Sequence, residues 1–229
     1  RSSAASDVYK RQDIMRVTIL GCGSSVGVPT LSSGWGACDP ANPKNRRRRA
    51  SILVETGGKT ILVDTSPDLR EQLLAAGSPD IDAVLLTHGH ADHTHGLDDL
   101  RPLHWRRGAP LPLYTDRATL TILRERFRYM FERVPESPPH FEPPLTAHEI
   151  APGPLAAFNG AIEAVRQDHG SSGESLGFIF ENRFAYSIDV AHFTDRDLTR
   201  YEGIDLWVVD CLRDGPSKAH ANVERCFSW

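Results

Sequence analysis

Cysteine is scarce in this sequence and poorly placed for structural work. Cys22, Cys38, Cys211 and Cys226 stand far apart, with no C-x-x-C pair. That spacing excludes a disulfide framework and a zinc knuckle, and makes a reducing, cytoplasmic compartment the default expectation. Long apolar runs are missing as well. None approaches the roughly 18 residues of a membrane-spanning helix, so no membrane association is expected. Nor is there an excess of basic charge: at a net charge of −4 the chain has no general attraction to nucleic acid or anionic lipid. The pattern G-x-x-x-x-G-K-S/T does not occur, so the glycines of GCGSSVGVP do not form a phosphate-cradling P-loop. The opening residues, RSSAASDVYKRQDI, lack the apolar segment of a secretory signal and fit no periodic pattern. Residues 1–14 are therefore expected to be a non-native or disordered leader, with one domain over 15–229.

What is present suits a globular chain. Hydrophobic residues make up 40% and charged residues 24%, enough apolar material for a sizeable core. RVTILG (16–21) reads as a strand. SILVET and KTILVD flank Gly57-Gly58, a two-residue hairpin signal, and SLGFIF pairs with RFAYSID across Glu181-Asn182. IDAVLLTH, LPLYTD and AIEAVRQDHG read as further strands, and DLWVVD (205–210) as a buried one. SPDLREQLLAAG predicts a helix with Ser66 as N-cap, Pro67 in first position and Gly77 as its stop. Asp116 is expected to cap a helix over RATLTILRERFRYMFE, and seven prolines between 134 and 154 predict a stiff irregular excursion. Short strands with a few helices between them indicate an α+β protein built on mixed sheets.

The residues that carry chemistry lie in LLTHGHADHTHG (85–96), where His88, His90, Asp92, His93 and His95 follow an apolar run. In an extended segment residues two apart point the same way, so His88 and His90 form half of a divalent metal site. Asp92 and His93 come where the chain should turn, placed to face a second ion. Imidazole and carboxylate without nearby thiolate suit Zn, Mn or Fe(II). The plainer alternative, a surface histidine tract, is disfavoured by such a density of donors at the mouth of an apolar strand.

THGHADHTHG matches the T-H-x-H-x-D-H-x-x-G motif of the metallo-β-lactamase fold superfamily. ILGCGSSVGVP, CDPANPKNRRRRAS and ILVDTSPDLR resemble the branch that contains phosphoribosyl cyclic phosphodiesterases, which is related to the tRNA 3′-processing nucleases. The resemblance runs from about Met15 to the end of the chain. It implies an αββα four-layer sandwich holding two divalent metal ions, Zn or Mn. Position by position, it implies His88, His90 and His169 (in QDHG) for the first ion and Asp92 and His93 for the second. Asp189 (in SIDV) would bridge them, and Asp64 would orient the histidine loop. His95 falls on a variable position and is assigned no metal. His220 resembles a histidine that lies near the leaving group in the related branch. It is the expected general acid, with Glu224 to orient it if that segment is helical; Asp92 is also expected to orient the attacking hydroxide.

The expected activity is hydrolysis of a small or cyclic phosphodiester by a hydroxide held between two ions. A thioester or lactone hydrolase on the same site is the rival enzyme. Nucleic acid is not the expected partner, and a homodimer is compatible with the sequence. One departure matters. The superfamily pattern has a further histidine after the last strand, and nothing after His220 supplies it before Trp229. A C-terminally truncated chain with a weak second site is therefore expected, which keeps a non-catalytic metal-binding fragment as a third reading. The first long loop offers only Cys38, so no structural zinc site is expected there. Arg46 to Arg49 can be read as a phosphate-holding run or as a loop anchor.

Overall fold

The computed structural model describes residues 14–229, so the leader expected over 1–14 lies, apart from Ile14, outside the described residues. The described chain divides into two compact units interleaved along the sequence.

The first unit comprises the described residues to Leu85 with His90–Leu113 and Arg124–Ala147. It carries strands β1 (Arg16–Gly21), β2 (Ser51–Thr56), β3 (Lys59–Val63) and β4 (Ala83–Leu85). Its helices are α1 (Leu69–Ala75), the single turn α2 (Ala91–Thr94) and α3 (Arg101–Arg107). β5 (Leu111–Thr115) and β6 (Leu145–Glu149) begin in this unit and complete a six-stranded sheet in the order β1 to β6. Gly57 and Gly58 close the β2–β3 hairpin at φ 55° and 70°, where a Cβ would be strained. β3 and β4 run parallel with Val63 opposite Leu85, so Asp64 and the histidine segment leave the same edge. Ile61–Val63 of β3 and all of β4 are buried on both faces, as the unbroken apolar runs ILV and AVL require.

The second unit comprises Leu86–Gly89, Tyr114–Leu123 and His148–Trp229. Most of α4 (Arg117–Arg126) belongs to it; the following turn α5 (Arg128–Phe131) is in the first unit. Its sheet has five strands, β7 (Gly153–Pro154), β8 (Ile162–Asp168), β9 (Glu174–Phe180), β10 (Phe184–Ser187) and β11 (Leu206–Val209), in the order β11-β10-β9-β8-β7. β8, β9 and β10 are antiparallel neighbours, whereas β10 and β11 are parallel with Ser187 opposite Val209. The C-terminal ends of β8, β10 and β11 therefore share one edge. Phe178, Phe180, Phe184 and Tyr186 are fully buried, each worth roughly 1.5–3 kcal/mol of apolar transfer. A further aromatic cluster joins Phe193, Tyr201, Trp207 and Trp229 beside the short helix α6 (Asp195–Leu198), with Tyr201 stacked on Trp207 at 4.3 Å. The last helix is α7 (Val223–Ser228), capped by the Asn222 side chain.

Three expectations change in detail. Helix α1 starts at Leu69: Ser66 Oγ donates to Gln72 Oε1 and accepts from the Asp68 N–H, leaving Asp68 as the boundary residue. The long helix predicted after Asp116 is capped as expected, Thr119 N–H donating to Asp116 Oδ1, but breaks at Phe127 (φ −127°, ψ 39°), whose ring packs edge-on against His95. β11 is an edge strand with Leu206 54% exposed, because strand order leaves it one neighbour.

The four consecutive arginines all have partners within the first unit. Arg46 lies over the Trp35 ring, Arg47 Nη1 donates to Cys22 Sγ and Arg48 Nη1 to the Glu71 carbonyl. Arg49 forks onto both oxygens of Asp68, at 2.9 and 2.6 Å, and its N–H donates to Asp68 Oδ2 as well. The run thus ties the first long loop to the start of α1. These bonds hold the Asp68 carboxyl below its usual range against the opposing effect of burial. A depressed folded pKa stabilises above the unfolded value and is lost as pH falls through the folded one. Asp68→Asn is therefore expected to destabilise the protein by on the order of 1–3 kcal/mol at pH 7. In denaturant titrations the gap between variant and parent should close below about pH 4; an equal gap at pH 7 and pH 3 contradicts the assignment.

Candidate metal centre

In the second unit, the strand geometry sets the site. β8 ends at Asp168 and delivers His169, β10 delivers Asp189, and Leu86–Gly89 carries His88. That last segment is held in place by Leu86 N–H donating to the Tyr114 carbonyl and Leu176 N–H donating to the Thr87 carbonyl. His88 and His169 are buried, their rings edge-on at 5.2 Å. Their Nε2 atoms both approach Asp189 Oδ2, at 3.2 and 3.4 Å. Asp189 sits at φ 52°, a left-handed setting that Asp tolerates better than most side chains, and its carbonyl accepts from Ser175 Oγ. Gly170 (φ 60°) follows His169; a Cβ there would stand 1.9 Å from the Lys218 carbonyl.

The hydrogen bonds decide what these atoms can do. The Ala219 carbonyl accepts from His169 Nδ1 at 2.7 Å. A carbonyl cannot donate, so Nδ1 carries the proton and Nε2 presents a lone pair. Burial lowers the His169 pKa, outweighing the nearby Asp189 charge, and favours that neutral form. A lone pair then faces a carboxylate oxygen, an arrangement that a shared cation relieves.

The first unit holds the same device. His93 is buried, and its Nδ1 lies 2.8 Å from Oδ2 of Asp64, which is wholly buried at φ 61°. The carboxylate accepts the Nδ1 proton, and His93 Nε2 stands 3.2 Å from Asp92 Oδ2. His90 is the boundary residue of α2, and its carbonyl accepts from Thr94 Oγ1. His95 lies against Phe127.

His220 joins the second unit's cluster, its ring edge-on to His169 at 5.1 Å and its Nδ1 3.8 Å from Asp189 Oδ1. The partner expected for it is replaced. His220 precedes α7 and is not helical, so Glu224 does not share a helix with it. Asp210, just past β11, takes the role: its Oδ2 accepts from His220 Nδ1 at 2.7 Å and from the Val190 N–H at 3.3 Å. That bond, against burial, raises the His220 pKa. Asp210 is readable in the sequence as a carboxylate ending an apolar strand, like Asp64 and Asp189, but only the parallel β10–β11 register reveals that it shares their kind of edge.

Against known proteins, the model of the β-lactamase superfamily domain matches residues 59–229. A crystal structure described as a new diphosphatase from the PhnP family is 34% identical and superposes with a TM-score of 0.79. The match covers 94% of this chain and 82% of that one. An octanoyltransferase of Porphyromonas gingivalis (strain ATCC BAA-308 / W83) is 40% identical over 158 residues, 68% of this chain but 31% of its own length. Coenzyme PQQ synthesis protein B of Rhodopseudomonas palustris (strain BisB5) is 30% identical over 231 residues, 86% of this chain and 73% of its own. The chain thus spans about a third of the first of these two relatives and about three quarters of the second.

The glycine that ends the histidine motif has a steric reason. A Cβ on Gly96 would stand 2.0 Å from the Ser66 carbonyl oxygen and 2.8 Å from Leu69 Cβ, while Gly96 N–H donates to the Thr65 carbonyl. Gly96→Ala is expected to lower stability by on the order of 1–3 kcal/mol or more, with a clear fall in Tm. An unchanged Tm would show that the Ser66 and Gly96 segments separate without cost.

Proposed function

Because the chain belongs to the β-lactamase superfamily domain family, we propose that it is a metal-dependent hydrolase of small or cyclic phosphodiesters. The observation that carries this reading is the pair of buried imidazoles held through Nδ1, whose Nε2 atoms face carboxylate oxygens. Nitrogen and oxygen donors of this kind fit Zn or Mn. His88, His90 and His169 are assigned to one ion, Asp92 and His93 to a second, and Asp189 to both.

Divalent ions held there supply a nucleophilic water at neutral pH and offset charge on a phosphate's nonbridging oxygens. The chain's own residues do the rest. Asp64 and the Ala219 carbonyl hold two imidazoles in the ligating tautomer, and Asp92 orients the attacking water. His220, anchored through Nδ1 by Asp210, presents Nε2 as the proton donor to the leaving alkoxide. The diphosphatase relative favours a second reading within the same chemistry, in which the leaving group is itself a phosphate.

Two measurements test the assignment. Asp64→Asn removes the carboxylate that fixes the His93 tautomer while keeping a side chain that tolerates φ 61°. It should weaken metal retention about 10–100-fold, read by chelator competition; unaltered retention contradicts the role. His220→Ala should slow esters with poor leaving groups about 10²–10⁴-fold, but p-nitrophenyl esters far less. Equal losses on both remove His220 as the acid. Turnover of thioesters or lactones without cleavage of bis-p-nitrophenyl phosphate would overturn the phosphodiesterase reading itself.

A further inference from the structure

Two of the four cysteines meet in the second unit, although 15 positions separate them in sequence (226 − 211). The segment after β11 runs beside the start of α7: Arg213 bridges to Asn222, and Val223 N–H donates to the Arg213 carbonyl. This places the Cys226 thiol on the Asp210 carbonyl at 2.9 Å, beside the backbone of Cys211, whose thiol acts on it electrostatically. Cys211 is solvent-exposed and Cys226 half-buried. We propose that Cys211 and Cys226 form a reversible disulfide that fastens α7 to the segment after β11 and changes the setting of Asp210.

The oxidant is a low-molecular-weight disulfide. The exposed Cys211 thiolate attacks one of its sulfurs, forming a mixed disulfide and releasing one small thiolate. Cys226 then gives up its proton and attacks the Cys211 sulfur, expelling the second. Two protein thiols are oxidised by two electrons, and the small disulfide is reduced to two thiols. The order follows from the surroundings: burial, with the Cys211 sulfur beside it, pushes the Cys226 thiol up to about 12, so it serves as the resolving group held close to its target.

The bond has a structural consequence. Cys226 loses the S–H that donates to the Asp210 carbonyl, and Asp210 is the residue that holds His220. The helix it fastens also contributes Glu224, Arg225 and Ser228, with its cap Asn222, to the wall of a cavity of about 360 Å³ that includes His220. The effect of oxidation on hydrolysis rests on the function proposed above; the disulfide itself does not.

The test incubates the full chain with oxidised glutathione and maps its disulfides after alkylation and digestion. The expected result is loss of two of the four thiols, a peptide joining Cys211 to Cys226, slower amide exchange over residues 223–228, and full reversal by dithiothreitol. Cys211→Ser and Cys226→Ser should each abolish the linked peptide, while a Cys22→Ser/Cys38→Ser double variant should keep it. Stable glutathione adducts without the linked peptide, or unchanged exchange in α7 once the link has formed, overturn the proposal. On phosphodiester substrates, the oxidised parent should lose rate that dithiothreitol restores, and Cys226→Ser should not respond. If the chain turns over no phosphodiester at all, the hydrolytic reading fails while the peptide map still decides the disulfide.

Discussion

Everything in this structure depends on forbidding buried histidines from choosing their own tautomer. An imidazole left to itself exchanges its proton between two nitrogens, and burial then costs whichever nitrogen lacks a partner. Here the Ala219 carbonyl and the Asp64 carboxylate settle the matter for His169 and His93. The opposite nitrogens are thereby committed to facing carboxylate oxygens. For His169, which burial keeps neutral, such a pairing of electron-rich atoms is poor chemistry for a core and good chemistry for a cation. The folds of both units serve that commitment, since β3 ends at the Asp64 acceptor and β8 at the His169 ring.

Much of this is legible in the amino-acid sequence. The apolar runs in SILVET and KTILVD, the punctuation at Gly57-Gly58 and Glu181-Asn182, and the helix stop at Gly77 are local signals, and local signals survive tertiary packing well. The α+β metallo-β-lactamase fold is likewise written in a histidine motif whose spacing few other chains share. Less is available about caps. Ser66 resembles a helix start because Ser-Pro so often is one, yet its hydroxyl is drawn to Gln72 and Asp68 takes the boundary under the pull of Arg49.

The residues that escape a sequence reading have a common cause. Asp210 reaches His220 only because β10 and β11 pair in parallel, and a register between strands nearly 20 positions apart leaves no trace in either segment alone. Glu224 is the natural choice on helical spacing; the chain instead stays irregular until Asn222 caps α7. The arginine run shows the same limit from the other side. Four like charges in a row suggest a ligand, and only their placement reveals Trp35, Cys22, Glu71 and Asp68 as partners.

The two hairpin turns, at Gly57-Gly58 and Glu181-Asn182, stand at the ends of β3 and β10 opposite to Asp64 and Asp189. Each sheet therefore has a working rim and an idle rim, separated by the full length of a strand. Extra loops, purification handles or fused modules grafted onto the idle rims have a rigid ladder of backbone bonds between them and the chemistry. Evolution and the engineer are offered the same two doors.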